Sequence, residues 1–295
     1  MTDLARRVAV AAVGIPVAIA LIWLGGWPLG IALGLVAAAG AAEVCRLSAA
    51  RGVRAYVPAA AALSAAYVVF AVEHSGLGAA APYAWVATVG AALALLVAGI
   101  WLRGPDESPL FAASATILGA LITGGGLMFA LFLRDLDPGP AGPSWLGATI
   151  VAYPIMLAWM GDTFAYFGGR AWGRKKLIPS VSPAKTVAGA LAGFCGAVLT
   201  GALYGWLVFG LWQDVPVGAG AAALGGVLIG PAAQLGDLAE SLLKRDAGVK
   251  DSGTLFPGHG GVLDRFDAVF VALPVGYAYL TLLPNWIEGL PWGWA

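Results

Sequence analysis

The sequence predicts an all-α integral membrane protein whose helices cross a lipid bilayer about nine times. Hydrophobic residues make up 60% of the 295 residues, and charged residues only 11%. So few polar side chains cannot cover the surface of a water-soluble protein of this length. Apolar runs of about 17–25 residues recur along the chain, and each is long enough to span a hydrocarbon layer of about 30 Å as a helix.

The predicted spans alternate with short polar segments that are rich in Gly, Pro and charge. They cover approximately residues 8–26, 28–47, 55–73, 80–102, 110–133, 145–168, 187–211, 217–238 and 266–284. The first run lacks a small-residue cleavage site followed by a polar segment, so an uncleaved first helix is favoured over a signal peptide. Frequent Gly and Ala within the spans fit close packing between membrane helices.

Positive charge gives the spans a predicted orientation. If the N-terminus with Arg6 and Arg7 is cytoplasmic, every Lys and Arg except Arg134 falls in a cytoplasmic segment. Cytoplasmic segments of membrane proteins are enriched in Lys and Arg, so the pattern supports this orientation and span count. Cys45 and Cys195 fall at or inside spans, which favours buried apolar thiols over a disulfide or a thiolate metal site.

The linker RDLDPGPAGPS divides the chain into two predicted regions. Residues 1–144 carry few polar groups within their spans and are interpreted as scaffold helices. Residues 145–295 have polar groups inside the spans, and polar groups there are costly unless they serve a function. We therefore expect the catalytic region in 145–295.

The first polar region, GDTFAYFGGRAWGRKKLIPSVSPAKT, begins at Gly161. Asp162 lies late in the sixth span, where a carboxylate must be paired, ligate a metal or face water. Tyr166 and Gly169 share its helical face. The Lys and Arg residues that follow are suited to binding phosphate, although an ordinary basic loop beside anionic lipid explains them equally well.

The second polar region begins in the eighth span with QLGDLAESLLKRD. Asp237, Glu240, Ser241 and Lys244 fall on one stripe of a helix, at a depth where lipid would demand apolar side chains. Asp237 and Glu240 are interpreted as functional, whereas a solvated helix end also explains Lys244.

The helix continues into KRDAGVKDSGTLFPGHGGVLDRFD, residues 244–267, which combines glycines, carboxylates and cations. Glycines let backbone N–H groups approach an anion, and carboxylate oxygens suit Mg²⁺. The combination indicates a site for a metal and a polyphosphate. It is not a Walker A loop, and His74 and His259 are too far apart in sequence to favour a zinc site.

Residues 241–267, SLLKRDAGVKDSGTLFPGHGGVLDRFD, resemble the signature of the phosphatidate cytidylyltransferases, also called CDP-diacylglycerol synthases. GDTFAYFGGRAWGRKKL and SPAKT resemble further blocks of that family, in the same order. Ala184, Ala188 and Ala268 stand where family members commonly carry Lys, Glu and Ser, respectively. The long signature itself is intact, so we expect an active enzyme.

The resemblance implies the reaction of CTP with phosphatidate to give CDP-diacylglycerol and pyrophosphate, a step of phospholipid biosynthesis. The attacking phosphate monoester has a second pKa of about 6 and is already largely ionised at neutral pH. No general base or covalent intermediate is therefore required. The reaction instead needs in-line alignment of two anions and neutralisation of their charge.

The resemblance also implies roles for individual residues. Asp237 and Asp264 are assigned to Mg²⁺, as one or two ions. Five cations are assigned to clamp phosphates: Lys185, Lys244, Arg245, Lys250 and Arg265. His259 is assigned to donate a hydrogen bond to a phosphate, with a structural loop histidine as the alternative. The remaining substrate-binding candidates are Asp162, Ser182, Thr186, Ser241, Asp251, Gly260, Gly261 and Asp267, of which Asp251 and Asp267 are secondary metal or ribose candidates.

We expect CTP to arrive from the cytosol and phosphatidate to remain in the bilayer, at a site on the cytoplasmic face of a bacterial plasma (inner) membrane. The resemblance implies a homodimer, and no nucleic-acid partner is expected. One alternative is a CTP-dependent polyprenol or phytol kinase, which the intact signature disfavours. Another is a transporter or lipid-binding scaffold, which would place polar residues in the outer halves of the spans as well.

Overall fold

The computed structural model describes residues 3–139, 141–213, 215, 217–253, 255 and 260–282, with the side chains of residues 3–11 excepted. The helices of the first half are α1 (Asp3–Leu24), α2 (Gly26–Ala49), α3 (Val57–Glu73), α4 (Leu77–Leu102) and α5 (Pro109–Arg134). The second half contains α6 (Trp145–Trp172), β1 (Lys176–Ile178), β2 (Ser182–Thr186), α7 (Val187–Tyr204), α8 (Ala219–Asp246), α9 (Leu263–Phe266) and α10 (Val269–Leu282). A 3₁₀ helix at Pro105–Glu107 precedes α5, and a π-helix at Gly205–Trp212 continues α7.

Apolar helices of membrane-spanning length dominate the described part of the chain. Six are long and apolar enough to cross a membrane: Gly26–Ala49, Leu77–Leu102, Pro105–Arg134, Trp145–Trp172, Val187–Trp212 and Ala219–Asp246. Ala12–Leu24 and Val57–Glu73 are shorter apolar helices. The predicted α-helical multi-pass architecture is confirmed at this level, while the count of nine spans and the cytoplasmic N-terminus stay predictions.

The chain forms two compact units that alternate along the sequence. The first unit contains the described residues up to Asp135 together with Ala141–Pro143 and Leu243–Phe266. The second contains residues 136–139, Ser144–Leu242 and the described residues from Asp267 onward. Much of the signature segment thus belongs to the same unit as the predicted scaffold helices.

In the first unit, α3 and α5 pack closely through small side chains. A Cβ on Gly124 would overlap the backbone of Ser64, so only glycine permits this approach. The buried hydroxyls of Ser64 and Thr123 lie 2.8 Å apart and share a hydrogen bond. This combination of small residues and a buried polar pair is typical of helix packing in membranes.

Arg134, the cation predicted on the outer side, is almost fully buried in the first unit. Its guanidinium donates hydrogen bonds to the carbonyls of Ile22 at 3.0 Å, Trp23 at 3.2 Å and Gly142 at 2.6 Å. Ile22 and Trp23 lie in the last turn of α1, where carbonyls lack helical partners and a cation is favourable.

In the second unit, α6 packs along α7, and the buried Tyr153 hydroxyl of α6 donates to the Ala222 carbonyl of α8 at 2.5 Å. Between α6 and α7 the chain forms an antiparallel hairpin in which Lys176 pairs with Thr186 and Ile178 with Ser182. The all-α prediction omits this hairpin, because strands of three and five residues are too short to show an alternating pattern.

Candidate active site

A cavity of about 480 Å³ opens in the second unit among α6, the hairpin, α7 and α8. Its polar lining includes Asp162, Tyr166 and Arg170 from α6, Lys185 from β2 and Asp237 from α8. The shared helical face predicted for Asp162, Tyr166 and Gly169 is confirmed, because all three line this cavity. The cavity combines cations and carboxylates, which suits a ligand that carries both phosphate and hydrogen-bonding groups.

Lys185 and Asp237 form an ion pair in this cavity, with the Lys185 Nζ 2.6 Å from the Asp237 Oδ2. About a quarter of each side chain is exposed, so the pair is open to a ligand. Lys185 is held there because Thr186, the next residue, caps α7 by accepting a hydrogen bond from the Gly189 amide at 3.1 Å. The hairpin thereby places its cation beside a carboxylate of α8.

Three carboxylates, those of Asp237, Glu240 and Asp267, form an acidic cluster whose ligand atoms all lie within 4.8 Å of one another. Asp237 and Glu240 are one helical turn apart on α8, and Asp267 lies just before α10. A Cβ on Gly236 would lie 2.8 Å from the carbonyl oxygen of Asp267, so this glycine allows the two segments to approach. The acidic cluster therefore depends on a close backbone contact that only glycine permits.

The acidic cluster fits a divalent cation. Carboxylates at this separation repel one another unless a proton or a cation lies between them. Hard oxygen donors, two of them half-buried and one buried, are the ligands that Mg²⁺ prefers in proteins. Asp237, assigned to the metal from the sequence, and Asp267, a secondary candidate, are brought together here. Glu240, which the sequence marked without giving it a role, joins them.

The signature segment, residues 241–267, surrounds the Asp264 carboxylate with donors in the first unit. Lys244 Nζ lies 2.7 Å from Asp264 Oδ1, and the Gly261 amide donates to Oδ2 at 2.8 Å. The Ser252 amide and hydroxyl both lie 2.9 Å from Oδ2. Burial by itself would raise the pKa of Asp264, but the hydrogen bonds from Lys244, Gly261 and Ser252 outweigh it and lower the pKa to about 2. Asp264 is therefore ionised at neutral pH.

A glutamate that the sequence analysis did not single out contacts the same segment. The Glu43 carboxylate on α2 is 1% exposed and accepts hydrogen bonds from the Val262 and Leu263 amides, each at 2.9 Å. The Ser252 hydroxyl lies 3.0 Å from its Oε2. The signal that could have revealed it is a carboxylate within an apolar span.

The other residues predicted for the site fall in several places. Ser182 begins β2, and the Ser241 hydroxyl donates to Asp237 Oδ1 at a long 3.4 Å. Gly260 has a φ of +82°, a conformation that favours glycine, immediately before Gly261. Four candidates have exposed side chains: Arg245, Lys250, Asp251 and Arg265. His259 lies outside the described residues, and its role stays a prediction, as do the roles of the others.

The sequence model of the cytidylyltransferase family matches residues 5–283. A phosphatidate cytidylyltransferase of Synechocystis sp. is 34% identical over 301 aligned positions, which cover 94% of this chain and 97% of that protein. That of Bacillus subtilis is 39% identical over 159 positions, covering 53% of this chain and 55% of that protein. That of Haemophilus influenzae is 35% identical over 204 positions, covering 66% of each chain.

The family model and the match to the Synechocystis protein include the helices of the first half as well as the signature segment. The resemblance inferred from the signature is confirmed over nearly the full length, and the chain belongs to the cytidylyltransferase family.

Proposed function

We propose that this protein is a phosphatidate cytidylyltransferase, which converts CTP and phosphatidate to CDP-diacylglycerol and pyrophosphate. The observation that carries the proposal is the cavity of the second unit, in which the Lys185–Asp237 ion pair adjoins the acidic cluster. Family membership and the relatives named above support the same activity.

The nucleophile in this reaction is the phosphate of phosphatidate, which attacks the α-phosphorus of CTP while pyrophosphate leaves. That phosphate is largely ionised at neutral pH, so the protein need not remove a proton. The work of the side chains is to hold two anions in line and to offset their charge. Lys185 and Arg170 line the cavity and carry the positive charge for this task.

Asp237, Glu240 and Asp267 would hold Mg²⁺, which when bound neutralises phosphate charge and favours departure of pyrophosphate. The number of ions remains part of the proposal. The sequence also assigns Asp264 to a metal, but its contacts with Lys244, Ser252 and Gly261 favour a positioning role, so we place it outside the metal ligands. In the first unit, Asp264 fixes the Lys244 ammonium, whose side chain is 15% exposed. We assign Lys244 to a substrate phosphate and Asp264 to the control of its position.

We further propose that the enzyme is a homodimer in a bacterial plasma membrane with its site facing the cytoplasm. The apolar helices and the bacterial relatives support membrane attachment in a bacterium. Labelling of single cysteines placed near residue 175 and near residue 137, in sealed inverted vesicles, tests the orientation. The first is expected to react from the cytoplasmic side and the second only after the vesicles are opened.

The test of function uses purified protein in detergent with α-³²P-labelled CTP, phosphatidate and Mg²⁺. Label is expected in a lipid product that partitions into the organic phase, together with release of unlabelled pyrophosphate. If the organic phase stays unlabelled while γ-labelled CTP phosphorylates a polyprenol, the protein is a lipid kinase. If neither lipid is labelled, the enzymatic proposal is wrong.

A further inference from the structure

Glu43 lies in α2, one of the helices predicted to be scaffold, yet its carboxylate accepts hydrogen bonds from the signature segment. Within the described residues, its oxygens accept from the Val262 and Leu263 amides and lie 3.0 Å from the Ser252 hydroxyl. A buried carboxylate in a membrane helix is unfavourable unless its oxygens are satisfied. The fold retains this costly group where α2 meets that segment.

The signature segment is shaped to admit the Glu43 carboxylate. A Cβ on Gly253 would lie 2.5 Å from Glu43 Oε1, and a Cβ on Gly261 would overlap the same carboxylate and the Ser252 hydroxyl. Any side chain at either position would push the segment away from α2. Contact with the Glu43 carboxylate therefore explains why Gly253 and Gly261 carry no side chain.

The contacts of Glu43 continue to Asp264 within the same unit. The Ser252 hydroxyl lies between the two carboxylates, 3.0 Å from Glu43 Oε2 and 2.9 Å from Asp264 Oδ2. Val262 and Leu263, whose amides Glu43 holds, directly precede Asp264. Asp264 in turn holds Lys244 at 2.7 Å. A shift of the segment away from Glu43 therefore displaces both Asp264 and Lys244.

We propose that Glu43 is a positioning residue for nucleotidyl transfer: it holds Ser252 and residues 261–263 in the conformation that orients Asp264 and Lys244. This inference rests on the proposed function, because Lys244 is assigned there to a substrate phosphate. A glutamate that only stabilised α2 would affect unfolding and leave turnover intact. A positioning residue affects turnover and the order of the segment together.

The test compares Glu43→Gln with Ser64→Ala in the full-length protein. Ser64 is a matched control because its buried hydroxyl makes its hydrogen bond to Thr123, a residue of α5 in the same unit. We measure kcat and KM, the unfolding temperature, and hydrogen exchange of peptides that cover residues 252–264.

Glu43→Gln is expected to lower kcat at least about tenfold, because a misplacement of about 1 Å can cost about 100-fold in rate. The amides of Val262 and Leu263 should exchange faster, and the unfolding temperature should fall as well, because the Gln amide nitrogen cannot accept the hydrogen bond that one carboxylate oxygen accepts. Ser64→Ala should keep kcat and the exchange pattern of the wild type.

If Glu43→Gln fails to fold, Gly253→Ala provides the same test, because its added methyl group would displace the signature segment from the Glu43 carboxylate. It should lower kcat and raise exchange in the same amides. In combination with Glu43→Asp, which retracts the carboxylate, the loss should be smaller than the product of the two single losses, since both changes act on one contact.

The inference is overturned if the wild type is active and both variants, Glu43→Gln and Gly253→Ala, retain at least half of its kcat. It is also overturned if kcat falls while exchange at Val262 and Leu263 is unchanged, because the effect then does not pass through the segment. A wild type that is inactive with CTP and phosphatidate contradicts the proposed function, and the exchange measurement still decides whether Glu43 holds the segment.

Discussion

Asp264 and the acidic cluster of Asp237, Glu240 and Asp267 use the same chemical group in different surroundings, because the cluster carboxylates approach one another, and that of Asp237 also approaches the Lys185 ammonium. The Asp264 oxygens are met by an ammonium, two amides and a hydroxyl, and its pKa is held at about 2. One oxygen from each of the three cluster carboxylates lies within 4.8 Å of the other two. A carboxylate already surrounded by donors is suited to fixing its neighbours, whereas carboxylates that crowd together are suited to holding a cation.

The largest effect is expected when a member of the acidic cluster loses its charge. Asp267→Asn and Asp237→Asn should each lower kcat about 100- to 1,000-fold, by analogy with the loss of one charge-stabilising group from an active site. The Mg²⁺ concentration for half-maximal activity should rise at least about tenfold. A Mg²⁺ titration of activity measures both quantities.

Asp246→Asn is the matched control, because Asp246 ends α8 with a side chain that is 64% exposed. It should retain wild-type activity and the wild-type Mg²⁺ requirement. An unchanged Mg²⁺ requirement in both cluster variants would contradict the assignment of the cluster to the metal.

A second large effect is expected from Asp264→Asn, which keeps the size of the side chain and removes its charge. Turnover should fall about 100-fold, since Lys244 is no longer held, while the protein stays folded. Because its oxygens already accept four contacts, the Mg²⁺ requirement should stay that of the wild type. A rise like that of Asp267→Asn would instead support Asp264 as a metal ligand, as assigned from the sequence, and would show that Asp264 and the acidic cluster serve the same role.

A smaller effect is expected from Lys185→Gln, which removes the ammonium paired with Asp237. The KM for CTP should rise about tenfold, which corresponds to the lower end of the roughly 1.5–3 kcal/mol that a charge-assisted hydrogen bond contributes, because about a quarter of the Lys185 side chain is exposed to water. Lys176→Gln is the control, since Lys176 belongs to the same hairpin and has an exposed side chain. Equal kinetics for the two variants would show that Lys185 does not contact the substrate.

The smallest effect is expected from Thr186→Ala, because Thr186 acts in the structure as the N-cap of α7. The free energy of unfolding should fall by about 1 kcal/mol, the usual cost of losing such a cap. Thr186→Ser should restore it, and chemical denaturation in detergent measures both. A rise in the KM for CTP at unchanged stability would show that the hydroxyl binds substrate, as predicted from the sequence.

Much of the fold could be predicted because hydrophobic runs dominate the sequence. Apolar runs interrupted by Gly, Pro and charge locate helices well, and the structure has a helix at the predicted spans, from α1 to α10. The hairpin of β1 and β2 was not predicted. Its second strand ends at Thr186, which caps α7, and contacts of this kind leave no periodic pattern in the sequence.

The sequence also predicted much of the candidate site. Asp237 and Asp162 stand out because polar groups inside apolar spans are costly, and the signature segment identified the family before any contact was known. Glu43 follows the same physical rule and was passed over, since its partners lie 209 to 220 residues away in the chain.

The sequence by itself determined that this is a helical membrane protein of the cytidylyltransferase family, because composition and a contiguous signature are local properties. The tertiary structure decided which carboxylates meet each other and which meet donors. Asp264 and Asp267 are three residues apart in the same signature, yet one is surrounded by amides and an ammonium and the other joins the acidic cluster. Partners of this kind come from distant parts of the chain, so only the folded protein brings them together.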